Sequence, residues 1–289
     1  HERYAHLKED ERDICQLCPL KIKDALVIFK ELFTELIEVH DSPYFYVGCD
    51  ETYILGKCPN CAKKAKEQGK SKLYVDYLKE ILKLVKSLGK RPICPADELL
   101  KHPESASMLP KDTILIDWNY GWPIGKFGYP EPLLKMGFEF WGSMSLRSGP
   151  DNYYLHSWEK HLNNYRDFIP YCKKMGYTGV ALTSWSTSGI YGSEWDAFYE
   201  VVTLHPVRRV YPLNGFNLLL YAFAKSLNPT EKYDPKNYVK KYVGQRYGLS
   251  DLDSKRFLKA LYTNSSPVYK PKTEFYTNPK KITPLIANA

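Results

Sequence analysis

Tyr44-Phe45-Tyr46-Val47-Gly48-Cys49-Asp50-Glu51 is a brief apolar run that stops in two carboxylates. Apolar residues at consecutive rather than alternate positions mark a strand covered on both faces, as in a parallel sheet between helices. Upstream, residues 22–40 repeat apolar side chains at intervals of three and four (Ala25, Leu26, Phe29, Phe33, Leu36, Ile37), the pattern of an amphipathic helix. Downstream, Val75, Leu78, Ile81, Leu82 and Val85 predict a second helix over 73–88, stopped by Gly89. The unit then recurs. Residues 91–96 read as a strand ending at Asp97-Glu98, and 113–117 as the clearest strand, ending at Trp118. A weaker strand, 138–143, follows a short helix near 132–136. A helix over 158–175 leads to a strand at 179–184, ending at Trp185. Further helices are expected at about 195–204, 215–227, 235–247 and 252–262.

Strand–helix alternation with polar or aromatic strand ends points to an α/β fold, a (β/α)8 TIM barrel whose post-strand loops build a site. An open doubly wound sheet is the alternative, and it would usually carry a glycine-rich phosphate turn after its first strand. The sequence has neither G-x-G-x-x-G nor a Walker A motif. A closed barrel needs eight strands and five are legible; five parallel strands alone would leave two long edges. The expectation is a partial barrel holding strands four to eight, with three βα units upstream of His1 in a longer parent chain. Residues 1–262 would form the partial barrel and its C-terminal helices. Residues 263–289, with Pro267, Pro271, Pro279 and Pro284, read as a proline- and lysine-rich tail.

The composition, 289 residues with 44% apolar and 26% charged, is that of a globular chain. No run approaches the roughly 20 apolar residues that span a bilayer, and the opening HERYAHLKED has no apolar signal core, so no membrane and a cytoplasmic setting are expected. The charge is +8, but the lysines are scattered. The densest run (Lys63, Lys64, Lys66, Lys70, Lys72) is broken by Glu67 and Gly69 and reads as a solvated helix face, so no nucleic-acid partner is expected. Aromatic residues reach 15%, with 24 Tyr and 6 Trp, and flat amphipathic rings suit the apolar faces of sugars. The histidines form no H-E-x-x-H, and no G-x-S-x-G elbow exists.

Seven cysteines include the pairs Cys15-x-x-Cys18 and Cys58-x-x-Cys61. Two readings stand: a four-thiolate zinc site, or free thiols in a reducing compartment, with Cys49, Cys94 and Cys172 buried as small apolar residues. No cofactor is otherwise expected. Asp50 and Glu51 are neighbours, and neighbours on a regular strand face opposite ways. Both reach one pocket only where the strand is ending and turning. A strand-end Asp-Glu is a catalytic or metal pair, or else it caps the following helix or pairs with a cation. Asp97-Glu98 is a second strand-end acidic pair, which would contact sugar hydroxyls or cap a helix.

Val47-Gly48-Cys49-Asp50-Glu51-Thr52 resembles the glycoside hydrolase family 20 signature, in which a strand ends Gly-x-Asp-Glu. The continuation Tyr53-x-Leu55-Gly56-x-Cys58-x-x-Cys61 is similar to the hexosaminidase D-like branch. The stretch 111–118 resembles the one that carries an active-site Trp after strand six, and Leu182-Thr183-Ser184-Trp185 resembles the Trp after strand eight. The likeness runs from about Glu2 to Leu227 and implies that 44–48 is strand four. It further implies retaining hydrolysis of terminal β-linked N-acetylhexosamines by substrate assistance. Glu51 would be the general acid and then base; Asp50 would orient the 2-acetamido group that attacks the anomeric carbon. Glu51 would need a raised pKa, from a dry aromatic pocket and the Asp50 charge. Trp118 and Trp185 would wall the pocket, with Tyr120, Asp97 and Trp141 as further substrate contacts. The chain departs from the family at Ala96, where many relatives carry Trp, and at Ser186-Thr187, where many carry Gly-Glu. The implied partner is an N-acetylhexosamine glycan or glycoside. A non-catalytic carbohydrate-binding barrel is the alternative that those departures raise.

Overall fold

The computed structural model describes residues 2–11, 13, 16–148, 157–185, 213–228 and 230–264. Its strands are β1 (Tyr44–Tyr46), β2 (Arg91–Pro95), β3 (Ile114–Trp118), β4 (Glu139–Arg147) and β5 (Gly179–Ser184). Its helices are α1 (Ile22–Glu38), α2 (Pro59–Gln68), α3 (Lys70–Ser87), α4 (Asp97–Lys101), α5 (Glu131–Lys135), α6 (Trp158–Lys174), α7 (Leu213–Ser226), α8 (Pro235–Tyr247) and α9 (Asp251–Asn264). Short 3-10 turns occupy Glu2–Leu7, Pro19–Lys21 and Pro103–Met108. The strands form one parallel sheet in the order β1-β2-β3-β4-β5. Each helical crossover steps to the adjacent strand, and the order never reverses as it would in a doubly wound sheet. This is an α/β fold of the barrel type in its strand order.

All five expected strands are present. The helix expected at 195–204 and the tail from 265 onward lie outside the described residues. Helix α2 was not expected as a separate element: three lysines hide its one buried residue, Cys61.

The chain divides into two compact units. The first, residues 1–118, 123–142 and 172–180, holds the carboxylates of interest. Its core is built on α3, which buries Leu73, Tyr74, Val75, Leu78, Ile81, Leu82 and Val85, against Cys94 of the second strand, Ala96 just after it, Leu115 of the third, and Phe138 and Phe140. Each large apolar side chain buried there contributes about 1.5–3 kcal/mol. Phe33 of α1 packs on Phe45 with ring centroids 4.6 Å apart, closing a second cluster with Ile81 and Val85.

The second unit, residues 119–122, 143–171 and 181–289, is largely helical where described. Tyr165 and Phe168 of α6 are buried, and Tyr165 meets Phe223 of α7 edge-on at 5.7 Å. Asp234 caps α8 by accepting the Asn237 N–H at 2.6 Å, and the Tyr238 hydroxyl donates to the Leu218 carbonyl at 2.9 Å.

Candidate active site

The site starts from two prolines. In the ladder between β1 and β2, Arg91 N–H donates to the Pro43 carbonyl and Val47 N–H to the Ile93 carbonyl, both within 2.9 Å. The next donor toward β1 would be residue 95, which is proline and has no N–H. Pairing therefore stops at Val47, and the chain is released. Pro92 removes a donor on the other side, where β3 has not yet begun; the Asp112 carbonyl there takes the Arg91 Nε–H at 2.6 Å instead. Two prolines in a strand with neighbours on both sides are thus placed where each neighbour has run out.

Freed at Val47, the backbone turns. Gly48 has φ +67°, Cys49 φ +77° and Glu51 φ +50°. Two non-glycine residues in the left-handed region within three positions cost on the order of 1 kcal/mol or more each, and such strain persists only when its surroundings enforce it. Two contacts do so. The buried Tyr74 hydroxyl, from α3, donates to the Cys49 carbonyl at 3.0 Å. The Glu51 N–H donates to Asp97 Oδ2 at 3.2 Å, across 46 residues of chain. The strand ends earlier than expected, at Tyr46, and the turn lets consecutive Asp50 and Glu51 serve one end of the sheet.

The carboxylates differ in their surroundings. Asp97, 1% exposed at the start of α4, is pushed up to about 6 by burial, then by the Glu98 and Asp50 charges; the Glu51 amide and the Trp118 indole pull it partly back. Half-buried Asp50 is raised too, by burial first and by the Glu51 charge. Glu51 is exposed, with the Tyr53 hydroxyl bonded to its carboxylate. The dry aromatic surround expected for Glu51 is not built by the described residues of this unit. Among the described residues burial falls on Asp97 instead. Asp117, at the end of β3, is raised to about 6 by burial, while the Tyr177 hydroxyl donating to it at 2.7 Å works the other way.

Of the other residues picked from sequence, Trp118 joins this cluster, half-buried and tilted on Phe127 at 4.7 Å. Trp141 does not. It sits edge-on against Tyr44 at 5.1 Å and donates to Glu139, whose carboxylate also binds Arg91. Tyr44, Arg91 and Glu139 are all first residues of their strands, so Trp141 lies at the end opposite the carboxylates. Tyr120 and Trp185 belong to the second unit. Tyr120 is buried against Trp122, and Trp185 is exposed, its backbone N–H donating to the Arg147 carbonyl at 3.0 Å. A groove of about 460 Å³ in that unit, between Tyr221, Lys225 and Tyr238, is lined by Glu231 and Asp234 and by none of Asp50, Glu51, Asp97 and Asp117. Sequence reasoning gave Asp97 a sugar contact or a helix cap and missed its hold on Glu51; the one available signal was its place at a strand end.

A buried acid beside an exposed one, on a strained and clamped turn at strand C-termini, is an arrangement for proton transfer and for holding a polar substrate group. Residues 3–126, the segment carrying Asp50, Glu51, Asp97 and Asp117, match the model of the glycosyl hydrolase family 20 catalytic domain. That segment is similar to the family's catalytic domain. Hexosaminidase D from Bos taurus is 26% identical over 223 residues, covering 72% of this chain and 62% of that protein. In fold the chain is similar to the crystal structure of the β-N-acetylhexosaminidase from Bacteroides fragilis: TM-score 0.52 and 18% identity, over 85% of this chain and 49% of that one. The chain thus spans about half to two thirds of the length of these relatives. No helix among the described residues is long and apolar enough to cross a membrane.

Proposed function

We propose that this chain acts on terminal β-linked N-acetylhexosamines as a retaining, substrate-assisted glycoside hydrolase, with its five strands as the fourth to eighth of a (β/α)8 barrel. The observation that carries the reading is the Glu51 backbone, fixed by buried Asp97 on a left-handed turn that presents Asp50 and Glu51 together. Glu51 gives its proton to the glycosidic oxygen as the C–O bond breaks. The substrate's acetamido oxygen closes onto the anomeric carbon, forming an oxazolinium. Water then opens that ring, giving its proton back to Glu51 and restoring the acetamide. Asp50 accepts the acetamide N–H, aligning the group and balancing its developing charge. Asp97 is a positioning residue, and Trp118 offers a face for the sugar.

An aryl N-acetylglucosaminide and its N-acetylgalactosaminide counterpart test this. Turnover of either, falling about 10²–10⁴-fold in Glu51→Gln, supports it. Equal turnover of glycosides lacking the acetamido group would exclude substrate assistance. The exposure of Glu51 favours a second reading, a sugar-binding barrel without turnover. It predicts sugar binding unchanged by Glu51→Gln and no hydrolysis.

A further inference from the structure

Three cysteines and one glutamate outside the proposed active site meet in a buried cluster. Cys18, Cys58 and Cys61 carry free thiols; Cys18 Sγ lies 3.4 Å from Cys61 Sγ and 3.7 Å from Cys58 Sγ. Those distances are far beyond the roughly 2.05 Å of a disulfide. They sit close to the edge of a tetrahedron with metal–sulfur bonds of about 2.3 Å, where sulfurs stand roughly 3.8 Å apart. Glu9 completes the group, and one ligand atom from each of the four residues lies within 4.8 Å of all the others.

Glu9 supplies the second observation. It is 3% exposed, and its Oε1 is engaged, accepting the backbone N–H groups of Lys57 at 2.7 Å and Cys58 at 3.1 Å. Its Oε2 is buried without a hydrogen-bond partner. An acceptor buried beside thiols is costly unless a thiol proton, or a cation in its place, completes it. Backbone N–H groups point at two of the sulfurs. Cys58 is the N-cap of the ten-residue α2, where the helix dipole favours negative charge, and its sulfur accepts the Cys61 N–H at 3.3 Å. The Leu20 N–H bonds the Cys18 sulfur.

We propose that Cys18, Cys58, Cys61 and Glu9 hold one structural zinc ion in tetrahedral coordination. Sulfur-rich, four-ligand, closed geometry selects zinc over the hard cations that oxygen cages take. The site differs from the four-thiolate set read from sequence: Glu9 takes the fourth place, and Cys15 lies outside the described residues. The ion pins the segment before α1, where Cys18 N–H meets the Leu7 carbonyl at 2.8 Å, to the start of α2. That segment also holds the loop after Glu51, because Gln16 Oε1 accepts the Ile54 N–H at 3.2 Å. The ion therefore braces the turn without touching substrate.

Elemental analysis of the reduced chain, purified without chelator, is expected to find about one zinc per chain. After chelation, cobalt(II) is expected to give the visible bands of a tetrahedral site with sulfur-to-metal charge transfer. Cys58→Ser and Cys61→Ser should each abolish those bands, and Glu9→Ala should weaken zinc binding at least about tenfold. Reduced chain that carries no zinc and takes up neither zinc nor cobalt would overturn the proposal. Loss of the bands in Cys15→Ser with their retention in Glu9→Ala would overturn the assignment of Glu9. These readouts are independent of hydrolysis, so the metal site stands or falls apart from the glycosidase reading.

Discussion

Asp97 does two things at once, and substitution separates them. Its Oδ2 accepts the Glu51 amide, and its charge is held in a site that raises its pKa to about 6. Asparagine keeps an acceptor oxygen and removes the charge; alanine removes both. Asp97→Ala is therefore expected to be less stable than Asp97→Asn by about 1–3 kcal/mol, the cost of an orphaned buried amide, measured by urea unfolding at neutral pH. If the chain hydrolyses glycosides, kcat should fall further in the alanine variant than in the asparagine one, with KM less affected, because only the alanine frees the Glu51 turn. None of this was legible in the sequence. Asp50 and Glu51 stood out as carboxylates ending an apolar run, but the acceptor for Glu51 comes from 46 residues away. Positive φ at Cys49 leaves no mark in composition either.

Elements were more legible than contacts, and the misses have physical causes. Runs such as 113–117 are apolar because both faces of a parallel strand are covered, so the pattern survives in one sequence. Trp141 went astray because β4 was read as ending at Ser143, which put the ring near the strand's far end. The strand in fact runs to Arg147, and Trp141 lies near its start. The two prolines of β2 argue on their face against a central strand, yet they mark where pairing ends. At this scale the packing of α4 gives a sharp test. Gly128 has φ +131°, and a Cβ there would sit 2.2 Å from the Leu100 carbonyl oxygen, which is backbone and has no room to yield. Gly128→Ala is expected to lower the unfolding midpoint markedly, by more than the roughly 1 kcal/mol of an ordinary glycine strain penalty. Leu78→Ala, deleting a wholly buried side chain of α3, should cost about 2–5 kcal/mol in the same assay.

At the scale of the whole molecule, buried Asp97 and half-buried Asp117 bear on how stability responds to pH. Asp97 and Asp117 are both raised from 3.8 to about 6, chiefly by burial. Between those values the folded chain binds more protons than the unfolded one, so stability must fall as pH rises. The contribution is complete below about pH 4 and lost on passing through pH 6. The ceiling is about 3 kcal/mol for each group, since one pKa unit corresponds to about 1.4 kcal/mol. Surface pairs such as Lys86–Asp112 run the other way, weakening in acid, but exposed pairs are worth only about 0–1 kcal/mol. The difference between wild type and variant isolates the buried groups. Asp117→Asn keeps an oxygen for the Tyr177 hydroxyl while removing the titration. Urea unfolding of both proteins from pH 4 to pH 7.5 is expected to show the variant gaining on wild type as pH rises, with the change centred near pH 5–6. A constant gap across that range would mean that Asp117 is not held in a dry site.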